Sequence, residues 1–133
     1  MDDLFTDPFW VIDILPEQVP ADKGHRYFPA EQYFLRRPDT RQKKSDLLLK
    51  LCCYYDVLAA ADTEEVRNPA PEVLEDWIHR RYTCVFIGDS VVASDPEDTS
   101  MTVYHPDERL LSRIRTLAAA EGLFVWQPPQ EEA

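Results

Sequence analysis

Apolar residues in this chain change their period several times, and each change predicts an element. Phe9-Trp10-Val11-Ile12-Asp13-Ile14-Leu15, closed by Pro16, is aromatic and β-branched at strand length, which predicts a buried strand. From Glu17 to Leu35 the pattern dissolves around Pro20, Gly24 and Pro29, predicting an ordered loop with one helical turn, anchored by Tyr27, Phe28, Tyr33 and Phe34. Asp39 with Gln42 three residues on forms a capping-box-like start. Leu47, Leu48, Leu51, Cys52, Tyr55, Leu58 and Ala59 then recur at helical spacing, predicting a helix from 39 to about 61.

After the breaker Asn68-Pro69-Ala70-Pro71, the residues Val73, Leu74, Trp77 and Ile78 predict a short helix over 72–80. Thr83 to Ile87 reads as a strand, Gly88-Asp89 as a two-residue hairpin turn and Ser90 to Ser94 as the returning strand. Residues 100–105 alternate as a half-buried strand does, completing a three-strand meander. Pro106, Asp107 and Glu108 open the last helix, Gly122 closes it, and Leu110, Leu111, Ile114, Leu117 and Ala118 form its apolar stripe. Leu123-Phe124-Val125-Trp126 follows as an interior strand, implying a β-α-β crossover. The assembled expectation is an α+β two-layer sandwich: a mixed sheet of four or five strands, with three helices mostly on one face. The whole chain, 1–133, is expected to form one domain with a frayed acidic tail from about residue 128.

Composition narrows the function classes. The net charge of −11 opposes general binding to nucleic acid or to anionic membranes, both of which attract Lys and Arg. No apolar run approaches the ~18 residues of a membrane span, and Met1-Asp2-Asp3 is acidic where a signal peptide is basic, so a cytoplasmic protein is expected. Three cysteines, Cys52, Cys53 and Cys84, are an odd number in a chain of this size, which favours reduced thiols, with Cys52 and Cys84 read as core. No Cys-x-x-Cys or His-x-x-x-His pair and no glycine-rich phosphate loop is present, so no metal and no cofactor are expected.

Phe86-Ile87-Gly88-Asp89-Ser90 resembles the Gly-Asp-Ser block of the SGNH (GDSL-type) esterases, and Asp76-Trp77-Ile78-His79 resembles their Asp-x-x-His pair. The resemblance implies Ser90 as nucleophile with His79 and Asp76 behind it. In that family the Asp-x-x-His block follows the serine by most of a domain, whereas here it precedes Ser90 by eleven residues. The alternative is a hairpin turn at Gly88-Asp89, with His79 among Arg80 and Arg81 at a helix C-terminus, where cations suit the dipole.

Charge runs against local preference at one place. Arg36, Arg37, Arg41, Lys43 and Lys44 gather where a helix begins, and the dipole there penalises each cation by ~0.3–1 kcal/mol. Pairing with the surplus acids elsewhere in the fold is one account. The other is an anion or partner site built from those side chains and the free helix N–H groups. Together these features point to a small acidic, non-catalytic protein that binds another protein, a bacterial regulator or toxin neutraliser being the type. An enzyme or small-ligand binder with dispersed site residues is the alternative, and an acidic mimic of nucleic acid a third.

Overall fold

A computed structural model describes residues 9–128, an α+β arrangement of seven strands and four helices. The strands are β1 (Phe9–Asp13), β2 (Leu58–Ala61), β3 (Glu64–Arg67), β4 (Thr83–Ile87), β5 (Ser90–Ser94), β6 (Met101–Tyr104) and β7 (Phe124–Trp126). The helices are α1 (Gly24–Arg36), α2 (Pro38–Leu51), α3 (Pro71–Arg80) and α4 (Glu108–Ala120), and a 3₁₀ turn at Ala21–Lys23 leads into α1. The tail expected to fray lies outside the described residues.

All neighbouring strands pair antiparallel, in the order β3-β2-β4-β5-β6-β1-β7, so the expected mixed sheet of four or five strands is instead a seven-stranded antiparallel one. The crossover through α4 does join two strands of one direction, because β6 and β7 are both antiparallel to β1. But β1 sits between them, and β7 becomes an edge instead of an interior strand.

Period-two alternation decides which side chains meet the helices. Val85 stands opposite both Ala59 and Val92, Val92 opposite Val103, and Ile12 opposite Met101 and Val125. These residues form one cluster with Leu47, Leu48 and Leu51 of α2, Leu74, Trp77 and Ile78 of α3, and Leu110, Ile114 and Ala118 of α4. Each fully buried Leu or Ile stabilises the fold by ~1.5–3 kcal/mol, so this interface is the main source of stability.

Two expectations about helices fail for identifiable reasons. The second helix stops at Leu51 and the chain turns, because Ala59 and Ala61 fit a strand facing the core as well as they fit a helical stripe. Leu58–Ala61 accordingly forms a hairpin with the polar β3, its tight connection taken by Asp62 at φ 54°. Residues 24–36, read as loop, are helical despite Pro29, whose missing N–H removes one bond near the start of α1. This helix has no buried residue, and Phe28 and Tyr33 are exposed, so they are not the core anchors that their chemistry suggested.

Where the sequence signal was redundant, structure follows it. Asp107 caps α4 by accepting from the Leu110 N–H at 2.7 Å, and Gly122 ends it at φ 75°. Gly88 takes φ 57° in the β4–β5 turn, a conformation that glycine adopts without a Cβ penalty.

Candidate functional site

The five basic residues of 36–44 share one stretch of chain but not one site. Lys44 turns inward and is 1% exposed; its Nζ donates to the carbonyls of Asp95 at 2.7 Å and Asp98 at 2.9 Å. Burial lowers its pKa to about 8, against the upward pull of Asp98 and Asp95, so it holds the 95–98 turn onto α2. Arg37 pairs with Asp39 at 3.3 Å and lies over the Tyr33 ring, and Lys43 reaches the C-terminal end of α4 beside Gly122. Arg36 and Arg41 share a cavity of about 590 Å3, which Glu97 also lines. The Arg41 Nε is buried there without a partner among the described residues.

Ser90, His79 and Asp76 do not come together as a triad. The Ser90 hydroxyl donates to the His105 carbonyl at 2.6 Å, which ties the start of β5 to the turn before α4. His79 Nε2 instead faces the Ser45 hydroxyl at 3.3 Å, and Asp76 pairs with Arg80. Ser90 does line a cavity of about 570 Å3 at the strand ends, together with Asp56, Asp89, His105 and Asp107. There Asp107 is engaged as the α4 cap, and His105 holds φ 53°. A nucleophile needs a base within reach of its oxygen, and Ser90 is engaged with a backbone carbonyl instead. Among the described residues, no group of three or more His, Cys, Asp or Glu is placed to hold a metal ion.

The sheet has a second face. With the core residues of β4 pointing to the helices, Cys84 and Phe86 point away, and register carries that face across Leu58, Val91, Ala93, Tyr104, Phe9 and Val11. Phe9 and Tyr104 pack ring to ring at 5.8 Å, and the exposed Tyr82 extends the surface beyond β4. The larger side chains of this face stay partly exposed, since the helices that bury the core lie on the other side. Partial burial raises the pKa values of Tyr82, Cys84 and Tyr104, which favours their neutral forms. Cys84, expected in the core, belongs to this surface; Cys52 packs against the core as expected but is only half-buried.

At the β1–β7 end of the sheet, beside α1, a cavity of about 420 Å3 opens, lined by Asp13, Glu17, Val19, Tyr27, Phe28 and Trp126. Asp13 is 6% exposed, and its Oδ1 accepts from the Ile14 N–H at 2.7 Å and from the Thr99 hydroxyl at 3.1 Å. Burial raises its pKa, those two hydrogen bonds oppose the rise, and Asp98 and Glu31 add to it. The Tyr27 hydroxyl donates to Glu31 at 2.7 Å, and Trp126 Nε1 donates to the Leu15 carbonyl at 3.0 Å, so both rings are fixed in place. Sequence reasoning missed this site. Its residues come from β1, the 17–28 segment and β7, and each alone reads as strand or loop.

No protein-family model matches the chain, and no curated protein or solved structure is significantly similar to it. No helix among the described residues is long and apolar enough to cross a membrane.

Proposed function

We propose that this protein is a non-catalytic binding module that docks a basic partner protein on the helix-free face of its sheet. The observation that carries this reading is the partly exposed aromatic and aliphatic set Phe9, Val11, Phe86 and Tyr104, which stands on either side of the buried Val91 and is flanked by the exposed Tyr82. Exposed apolar surface on a sheet marks an interaction site, and aromatic residues are favoured anchors in one. Charge selects the partner: a chain of net charge −11 attracts a basic protein and repels its own copies. Size limits the lifetime of the complex. Seven strands about 4.8 Å apart and roughly 15 Å long present roughly 450 Å2, below the ~800 Å2 per partner of a stable interface, so the complex is transient and extends onto the flanking loops.

The test uses Phe86→Glu and Tyr104→Glu, each adding a buried charge to the interface, with Glu75→Gln on α3 as control. Affinity for the partner captured by wild type should fall at least tenfold in both face variants and hold in the control, as one desolvated charge costs more than ~1.4 kcal/mol. Equal affinity for all three, or a wild-type homodimer joined through this face, refutes the reading.

A further inference from the structure

We propose that the cavity over Asp13 is a receptor for one organic cation, a guanidinium or an alkylammonium group. The carboxylate is built in, being 6% exposed and fixed through Oδ1 by Ile14 and Thr99, while no donor among the described residues reaches Oδ2. Charges of its own sign surround it: Asp98 and Glu31 act on it, and Glu17 lines the same cavity. Lys44 feels the Asp13 charge, but its Nζ donates to the Asp95 and Asp98 carbonyls, leaving the carboxylate without a cationic hydrogen-bond donor. The walls are the rings of Tyr27, Phe28 and Trp126. Ring faces attract cations, and a buried carboxylate with an open oxygen gives a charge-assisted hydrogen bond to an N–H donor. An anion would be repelled here, and a neutral apolar group would leave the carboxylate desolvated without a partner.

Gly24 keeps the wall close. A Cβ at that position would stand 3.1 Å from Phe28 Cε2, so the absence of a side chain lets the Phe28 ring lie against the start of α1. Phe28 is nonetheless 62% exposed, as a ring that closes over a ligand from the solvent side would be.

The inference rests on the sheet-face reading only for the source of the cation, which that reading places on a Lys or Arg side chain of the partner; β1 and β7 carry both surfaces. A free polyamine-like ligand would satisfy the same chemistry, and the test separates the two. The full chain is titrated with N-acetylarginine amide, with its neutral isostere N-acetylcitrulline amide and with agmatine, following the Trp126 indole N–H resonance. Saturable shifts are expected with the arginine compound and none with citrulline. Asp13→Asn keeps an acceptor for Ile14 and Thr99, so the thermal midpoint should hold or rise while affinity falls roughly tenfold or more. Phe28→Ala, which removes an exposed ring, should weaken binding several-fold without touching the midpoint. Response to agmatine alone keeps the cation site but assigns it a small-molecule ligand. Phe86→Glu should retain the arginine response, so loss of protein docking and loss of the cation site are read separately. Citrulline binding as well as arginine, or Asp13→Asn binding as well as wild type, overturns the proposal.

Discussion

Replacing Lys44 by Met isolates one buried charge. The residue is 1% exposed, and burial lowers its pKa to about 8 from an ordinary 10.5. The folded value lies below the unfolded one, so between these two pH values the unfolded chain binds more protons and folding stability rises with pH. At pH 7 both states are protonated and the contribution is near zero. By pH 10 the folded lysine is neutral and most unfolded lysine is still charged, a difference worth about 2.5 kcal/mol in favour of the fold. The Met variant lacks this titration but keeps every other group, so subtracting its stability curve from that of wild type cancels the rest of the protein. Urea melts at half-unit steps from pH 7 to pH 10 give the difference. It should grow steadily in favour of wild type above pH 8. Parallel curves would mean that the Lys44 ammonium is not desolvated in the fold, which would contradict its burial.

Other consequences are simpler to check. Cys53 is exposed, whereas burial raises the pKa values of Cys52 and Cys84, so a thiol reagent at pH 7 should label Cys53 first; equal rates for all three would contradict their placement. Asp107→Ala removes the cap on α4 and should lower stability by ~1 kcal/mol in a thermal melt, and an unchanged midpoint would deny the cap. Ser90→Ala loses the bond to the His105 carbonyl, costing about 1 kcal/mol, and a wild-type protein that hydrolyses generic esters through Ser90 would reverse the assignment of that residue.

What could be read in advance was whatever the chain encodes locally and more than once. Helix α4 has Pro106 and a capping Asp107 in front, a clean stripe within and Gly122 behind, and the β4–β5 hairpin has alternation plus a Gly88-Asp89 turn. Strand β3 could not be read, because Glu64-Glu65-Val66-Arg67 sits at a sheet edge with one face in solvent, and its polarity matches a loop. Leu58–Ala61 was lost to a helical stripe of equal fit, and α1 to the punctuation of Gly24 and Pro29. The basic run was visible as a conflict with the helix dipole, and the one local sign that set the buried Lys44 apart from Lys43 is its place three, four and seven residues before Leu47, Leu48 and Leu51 on the same helix face. Asp13 looked like a lone polar residue in an apolar strand. Its meaning comes from Thr99 and Trp126, far away in sequence, and long-range proximity of that kind leaves no periodic trace.

Docking on the helix-free face is the central claim, and photo-cross-linking in the protein's native cells tests it most directly. Benzoylphenylalanine is placed at Phe86, at Tyr104 and at the exposed Tyr82 on that face, and at Arg80 on α3 as the opposite-side control. Irradiation should yield the same basic protein joined at Phe86, Tyr104 and Tyr82, with no such adduct at Arg80. Adducts at Arg80 alone, or adducts on the sheet face that contain only a second copy of this chain, would contradict the account.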